Sequence, residues 1–99
     1  MNYRLVFHPQ ANNEYVEAYQ WYEKTQIGLG ERFEKKVEQC LQQIIQHPEN
    51  YRLIKSPYRE ASTDIFPFTI VYTVNKRKKL INVSAIYHNK RNPRHKYRR

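Results

Sequence analysis

The sequence is poor in the features that mark several classes of protein. Its 99 residues include one cysteine, Cys40, and two glycines. A lone cysteine excludes an internal disulfide, and the four histidines show no metal-ligand spacing, so we expect no metal and no cofactor. No apolar run approaches the ~20 residues of a membrane helix. The first ten residues lack the pattern of a signal peptide, and we therefore expect a cytoplasmic protein with no membrane partner.

Basic charge is what the sequence has in excess, and it is unevenly placed. Lysine and arginine number 18 against nine acidic residues, and residues 76–99 hold ten basic residues with no acidic one. Such a block is typical of a protein that binds a polyanion or an acidic protein, although it would also suit a solvated tail. The cations that we predict to bind a target or nucleic acid are Lys76, Arg77, Lys78, Lys79, Lys90, Arg91 and Arg94.

The first half of the chain predicts a strand and two helices. Residues 2–8 alternate apolar and polar side chains, as a half-buried strand does. Pro9 suits the first turn of a helix, and Ala11, Tyr15, Ala18 and Tyr22 then form one helical stripe. A turn at the two glycines precedes a second helix over 29–46, which ends before a proline. The short turn predicts an antiparallel helix hairpin.

The second half predicts three strands over 58–63, 68–75 and 80–87, the last two joined by a basic hairpin loop. The order β-α-α-β-β-β predicts a single α+β domain over 1–99, with a helix hairpin on one face of a small antiparallel sheet. In the last strand we expect Ile81, Val83, Ala85 and Tyr87 to face the helices, with Ser84, Ile86 and His88 facing away. We expect the other face to stay open and residues 89–99 to form a partly ordered basic tail.

The chain resembles the RelE/ParE superfamily of toxins from bacterial type II toxin–antitoxin modules. The resemblance rests on the order of four stretches, FHPQANNEYVEAYQWY, IIQHPE, FPFTIVYTV and IYHNKRNP, which span nearly the whole chain. It implies a small basic toxin neutralised by an antitoxin protein that wraps an otherwise disordered segment around it. RelE-like members cut mRNA in the ribosomal A site, whereas ParE-like members poison DNA gyrase and have no nuclease site.

A RelE-like nuclease would need a general base, a general acid and cations around the scissile phosphate. Metal-free enzymes commonly supply these groups with His, Glu, Tyr, Lys and Arg, and the candidates in this chain are Arg59, Glu60, Tyr87, His88, Arg91 and Tyr97. The catalytic residues, in the nuclease case alone, would be Arg59, His88, Arg91 and Tyr97. Arg91 and Tyr97 are similar to the arginine and late tyrosine of RelE, with the same six-residue step, and Arg59 falls near one of its strand lysines. Tyr87 and His88 are similar to the terminal pair of YoeB-type nucleases in reversed order.

Two departures favour the ParE-like branch. Thr69 stands where RelE-like nucleases place an arginine in the central strand, and Ala61 stands near the position of a second strand lysine. The FPFTIVYTV and HNKRNP stretches are closer to ParE-type plasmid stabilisation proteins. The resemblance therefore implies a toxin that binds gyrase and is not an enzyme. The alternatives are a metal-free, ribosome-dependent endoribonuclease and a non-toxic basic domain that binds nucleic acid.

Overall fold

Two helices cover one face of a five-stranded sheet in the computed structural model, which describes residues 2–91 and 93–98. The elements are β1 (Arg4–Phe7), α1 (Pro9–Thr25), α2 (Leu29–Gln46), β2 (Arg52–Lys55), β3 (Tyr58–Ser62), β4 (Phe68–Asn75) and β5 (Leu80–His88). The predicted α+β class and the helix hairpin on a sheet are confirmed. Of the predicted tail 89–99, Asn92 and Arg99 lie outside the described residues.

Both helices begin where the sequence supplies a cap. Pro9 occupies the first turn of α1, and the Nδ1 atom of His8 accepts a hydrogen bond of 3.0 Å from the backbone N–H of Gln10. The first N–H groups of α2 are capped by α1 instead, because the Glu23 carboxylate accepts from the N–H groups of Gly28 and Gly30. A Cβ atom at Gly30 would lie 2.7 Å from the carbonyl oxygen of Tyr19, so glycine allows the two helices to approach closely.

The strands lie in the order β1-β5-β4-β3-β2. Neighbouring strands from β2 to β5 pair in antiparallel fashion, but β1 pairs parallel to β5. The sheet is therefore mixed, whereas the sequence predicted a wholly antiparallel sheet. β2 was not predicted because all four of its residues, RLIK, are exposed. A strand with no buried face has no alternation for sequence analysis to find.

The core lies between the helix hairpin and the sheet. The predicted stripe of α1 faces this core, with Ala11 and Tyr22 buried and the other two residues partly buried. Phe33, Val37 and Leu41 of α2 have no exposed surface. Phe33 is the centre of an aromatic cluster, with ring centroids 5.1 Å from Tyr22 and 4.8 Å from Phe68. The hydrophobic effect of burying these rings fixes the hairpin on the sheet.

A β-bulge at Ser84 reverses the faces of the second half of β5. Val83 lies opposite Tyr72 and Ala85 lies opposite Val71, so Ser84 has no partner of its own. Ile81 and Val83 face the helices as predicted, but the extra residue shifts the alternation beyond them. The prediction is therefore wrong for four residues: Ile86 and His88 lie on the helix side, and Ala85 and Tyr87 lie on the opposite face.

Candidate functional site

We call the sheet face away from the helices the outer face. It is partly covered by residues 96–98, which we call the chain end. Tyr58, Val71, Ala85 and Tyr87 form a small apolar cluster on this face, and Tyr97 packs against it. The Tyr97 ring lies 5.0 Å from that of Tyr58. The expectation of an open face is therefore wrong. The strand residues of this face are apolar and aromatic, and residues 96–98 bury them.

The end of the chain is anchored at the bulge. The Ser84 hydroxyl donates to the carbonyl oxygen of Lys96 and accepts from the N–H of Arg98. The Arg98 guanidinium forms two hydrogen bonds with the Glu14 carboxylate, of 3.1 and 3.0 Å, and donates to the carbonyl oxygen of Ser84. Glu14 also accepts from the N–H of Ile86, on the part of β5 that extends beyond β1. Bidentate pairing of this kind gives a well-defined geometry.

A polar cluster of Glu60, Tyr87, Lys96 and Tyr97 lies on the outer face. The Lys96 ammonium lies 3.4 Å from the Glu60 carboxylate and 3.2 Å from the Tyr87 hydroxyl. The Tyr97 hydroxyl donates to Glu60 over 3.5 Å. Desolvation opposes the charge of Lys96, but its hydrogen bond to Tyr87 and the charges of the neighbouring groups raise the pKa of Lys96. The cluster therefore keeps a cation beside a carboxylate and two phenols. Lys96 belongs to the basic block of residues 76–99 but was not among the predicted site residues.

The four residues predicted as catalytic do not come together. Arg59 donates to the carbonyl oxygens of Tyr51 and Glu49, at 2.7 and 3.2 Å, which holds the chain between α2 and β2. Its β3 neighbours Tyr58 and Glu60 contact Tyr97 on the outer face, so alternation places Arg59 on the helix side.

His88 and Arg91 lie at the far end of β5. The His88 ring meets Phe68 at 5.3 Å, and its Nδ1 atom accepts from the N–H of Lys90. Arg91 is exposed.

The two positions that depart from the RelE-like pattern have structural partners. The Thr69 hydroxyl donates to the Asn89 side chain over 2.6 Å and so ties the turn after β5 to β4. Ala61 is 2 % exposed in the helix-side core, opposite Ile70. Neither position supplies a cation to the outer face.

The predicted target-binding cations lie at two ends of the sheet. Lys76, Arg77, Lys78 and Lys79 form the turn between β4 and β5, where Lys76 pairs with Glu49 at 2.9 Å. Lys90, Arg91 and Arg94 follow β5 and are exposed. Nine residues of β5 separate the groups, which is about 30 Å at the usual rise per strand residue. They are therefore two basic surfaces and not one.

Charge nevertheless separates between the layers of the fold. Residues 9–46, which form the helix hairpin, hold six acidic and four basic residues. The remainder of the chain, which forms the sheet and its connections, holds three acidic and 14 basic residues. An acidic partner is thus attracted to the sheet side of the molecule and not to the helix hairpin.

Cys40 lies in the core and is predicted to be an unreactive thiol. It is 5 % exposed, and desolvation raises its pKa to about 11. At pH 8 we expect a thiol reagent such as DTNB to label the folded chain roughly a hundredfold more slowly than the unfolded chain. Because the unfolded thiol ionises first, the same shift lowers the stability of the fold as pH rises above the ordinary pKa of cysteine. Rapid labelling of the folded chain at pH 8 would contradict this assignment.

Residues 2–91 and 93–98 hold no group of three or more His, Cys, Asp or Glu side chains that could bind a metal ion. Within the same residues, no helix is both long and apolar enough to cross a membrane.

Comparison with known proteins identifies the family. A model of the ParE toxin of the type II toxin–antitoxin system parDE matches residues 5–93. The chain belongs to the ParE toxin family. This toxin therefore comes from a type II toxin–antitoxin module, and its membership of the RelE/ParE superfamily is confirmed. No curated protein matches the sequence.

Solved structures with the same fold include both branches of the superfamily. The ParE-family chain is similar to a structure of the chromosomal ParDE system of P. aeruginosa, with a TM-score of 0.71, 15 % identity and coverage of 87 % of this chain and 95 % of that one. The chain is also similar to a mutant of E. coli RelE in complex with a peptide of the antitoxin RelBc, with a TM-score of 0.66 and 18 % identity. This match covers 89 % of this chain and 84 % of the RelE chain. For the same RelE mutant in the free state, the TM-score is 0.61 and the identity 21 %, with coverage of 93 % of this chain and 88 % of that one. At sequence identities of 15 to 21 %, these similarities establish the fold alone.

Proposed function

We propose that this toxin inhibits DNA gyrase by binding it in the cytoplasm and that an antitoxin protein neutralises it. The observation that carries the proposal is the dispersal of the four residues predicted as catalytic: Arg59 braces a loop on the helix side, Tyr97 lies on the outer face, and His88 and Arg91 lie at the end of β5. General acid–base catalysis needs its groups within hydrogen-bond reach of one substrate. Because these four residues do not form such an assembly, we infer that the toxin acts by binding its target.

The antitoxin partner is supported by charge and by the neighbouring structures, one of which is a RelE toxin bound to a peptide of the antitoxin RelBc. We infer that the antitoxin uses an acidic, amphipathic C-terminal segment that covers the helix hairpin and the basic sheet side. Its acidic residues meet the sheet side, because the groove on the exposed surface of α2 is net acidic and repels them. The charged residues that line this groove are Glu31, Glu34, Lys35 and Glu38. Ordering such a segment on binding buries a large surface.

The proposal is tested by inducing the toxin without its antitoxin. We expect growth to stop, with gyrase-dependent DNA breaks and intact mRNA, and we expect the purified toxin to abolish supercoiling by purified gyrase. Expression of the antitoxin encoded beside the toxin gene is the control and should restore growth. Unaffected growth, together with binding to any nucleic acid that weakens steeply with salt, would instead indicate a non-toxic nucleic-acid-binding domain.

A RelE-like ribonuclease is the second candidate, and the polar cluster of the outer face favours it. The cluster provides a carboxylate, a cation and two phenols, which are linked by contacts of 3.2 to 3.5 Å from Tyr87 to Lys96, from Lys96 to Glu60 and from Glu60 to Tyr97. These groups could serve as base, cation and acid for RNA cleavage without a metal. New codon-phased 5′ ends in a primer-extension experiment on a reporter mRNA, lost in Glu60→Gln, would support the nuclease and overturn the gyrase proposal.

A further inference from the structure

The most exposed large apolar side chains of the described residues lie at one end of the molecule. They are Trp21, Ile27 and Ile65, with 62 %, 92 % and 67 % of their surface exposed. The exposed fraction of the other exposed large apolar residues is lower, from 39 % to 50 %; these are Val6, Val16, Leu53 and Ile54. We call Trp21, Ile27 and Ile65 the tip. Scattered exposed apolar residues are ordinary, but such residues gathered at one end are typical of an interaction surface.

The tip stands on a rigid aromatic base. Trp21, in the last turns of α1, meets the ring of Tyr22 edge-on at 5.1 Å. Tyr22 in turn contacts the ring of Phe66 at 5.0 Å, and Phe66 follows Ile65 in the loop between β3 and β4. Ile27 lies in the turn between the helices at this same end. Because the supporting rings belong to the core, Trp21 and the loop that carries Ile65 are held in place before any partner binds.

Ile65 has a backbone conformation that β-branched residues avoid. Its φ angle is +71°, and a left-handed isoleucine is an outlier that costs free energy. Two hydrogen bonds of the loop hold Ile65 in this conformation. The Thr63 hydroxyl donates to the carbonyl oxygen of Phe66 over 2.7 Å, and the Phe66 N–H donates to the carbonyl oxygen of Asp64 over 2.8 Å. The fold thus keeps an apolar side chain exposed on a strained backbone, although a glycine at this position would have no strain. Such strain is expected where the side chain has a function.

Two exposed cations lie at the same end. Lys90 and Arg91 belong to the turn after β5, which is tied to the β3–β4 loop by the hydrogen bond of 2.8 Å from the Asn89 N–H to the carbonyl oxygen of Pro67. The tip is therefore an apolar surface with basic residues on its sheet side, whereas its helix side and Asp64 are acidic. Tryptophan and arginine are the side chains that most often dominate binding energy at protein interfaces.

We propose that the tip is the surface through which this toxin binds gyrase, by entering an apolar cleft with acidic residues at its rim. This inference rests on the proposed function. The antitoxin segment inferred above follows the helix hairpin and the sheet side as an extended chain, whereas two of the three tip residues lie in turns and project from the end of the fold. A projecting surface fits a concave site on a folded protein, and the cations on the sheet side of the tip select a partner that is acidic on that side.

The test uses full-length toxin variants and purified gyrase. Trp21→Ala, Ile27→Ser and Ile65→Gly should each raise the toxin concentration that half-inhibits supercoiling by about tenfold or more, the effect typical of interface anchor residues. Ile65→Gly also relieves the left-handed strain, and Ile27 is almost fully exposed, so neither change is expected to unfold the protein. Val16→Ala, at an exposed apolar residue on α1 away from the tip, is the matched control and should leave inhibition unchanged.

The outcomes separate the two proposals. If the unaltered toxin inhibits gyrase and the three tip variants inhibit it equally well, the tip is not the binding surface, while gyrase inhibition stands. If the unaltered toxin leaves supercoiling intact, the proposed function fails and the tip proposal fails with it. A loss of inhibition in Ile27→Ser and Ile65→Gly, with thermal unfolding unchanged, supports the tip. Lys90→Glu and Arg91→Glu should then weaken inhibition most at low salt.

Discussion

Replacing Phe33 by alanine is expected to lower the free energy of unfolding by about 3–5 kcal/mol. Phe33 has no exposed surface, and its ring contacts those of Tyr15, Tyr22, Phe66 and Phe68 at centroid distances of 4.8 to 6.0 Å. The truncation removes apolar burial and leaves a cavity between α2, α1 and the β3–β4 loop. A domain of this size has a total stability of about 5–15 kcal/mol, so much of it depends on this one ring.

Urea unfolding followed by circular dichroism measures the effect. Phe33→Leu should recover part of the loss because it refills part of the cavity. Glu34→Ala, at the next and exposed position of α2, is the matched control and should change the stability by less than about 0.5 kcal/mol. Equal losses in Phe33→Ala and Glu34→Ala would show that the aromatic cluster does not hold the hairpin on the sheet.

Replacing Glu14 by alanine is expected to cost about 2–3 kcal/mol, since it leaves the Arg98 guanidinium and the Ile86 N–H without their acceptor. The side chains of Arg98 and Glu14 are 15 % and 23 % exposed, which places the expected cost below that of breaking a fully buried ion pair. The release of Arg98 should also loosen residues 96–98 from the outer face.

Two measurements check this prediction. Amide hydrogen exchange at Ile86 should accelerate in Glu14→Ala, because the carboxylate that accepts from this N–H is gone. A double-mutant cycle with Arg98→Ala should give a favourable coupling between the two side chains. The matched control is Glu17→Ala, at an exposed position on the same helix. If Glu14→Ala and Glu17→Ala have the same small effect, the anchoring of the chain end is wrong.

The helices were predictable because their signals are local. The stripe of Ala11, Tyr15, Ala18 and Tyr22 repeats with the period of a helix, and α2 ends before Pro48, as predicted. The five-residue strand β3 and the hairpin of β4 and β5 were predictable for the same reason. β2 was not, since its exposed residues carry no pattern.

The candidate site was predictable only in part. Glu60, Tyr87 and Tyr97 were among the candidates, and they do meet on the outer face. Arg59 was grouped with them because it falls near a strand lysine of RelE, but adjacent residues of a strand point to opposite faces, and Arg59 lies on the helix side. The bulge at Ser84 could not be read from the sequence, because it depends on how β5 aligns with β4.

The sequence by itself determined the helices, most strands, the α+β class and the separation of charge, because composition and periodicity are properties of neighbouring residues. Only the tertiary structure decided that β1 lies parallel to β5, that the cations divide between two ends, and that the chain end covers the outer face. These features depend on contacts between distant residues, such as Glu14 and Arg98, which are 84 positions apart. No local pattern encodes such a contact, because its free energy arises only when the whole chain has folded.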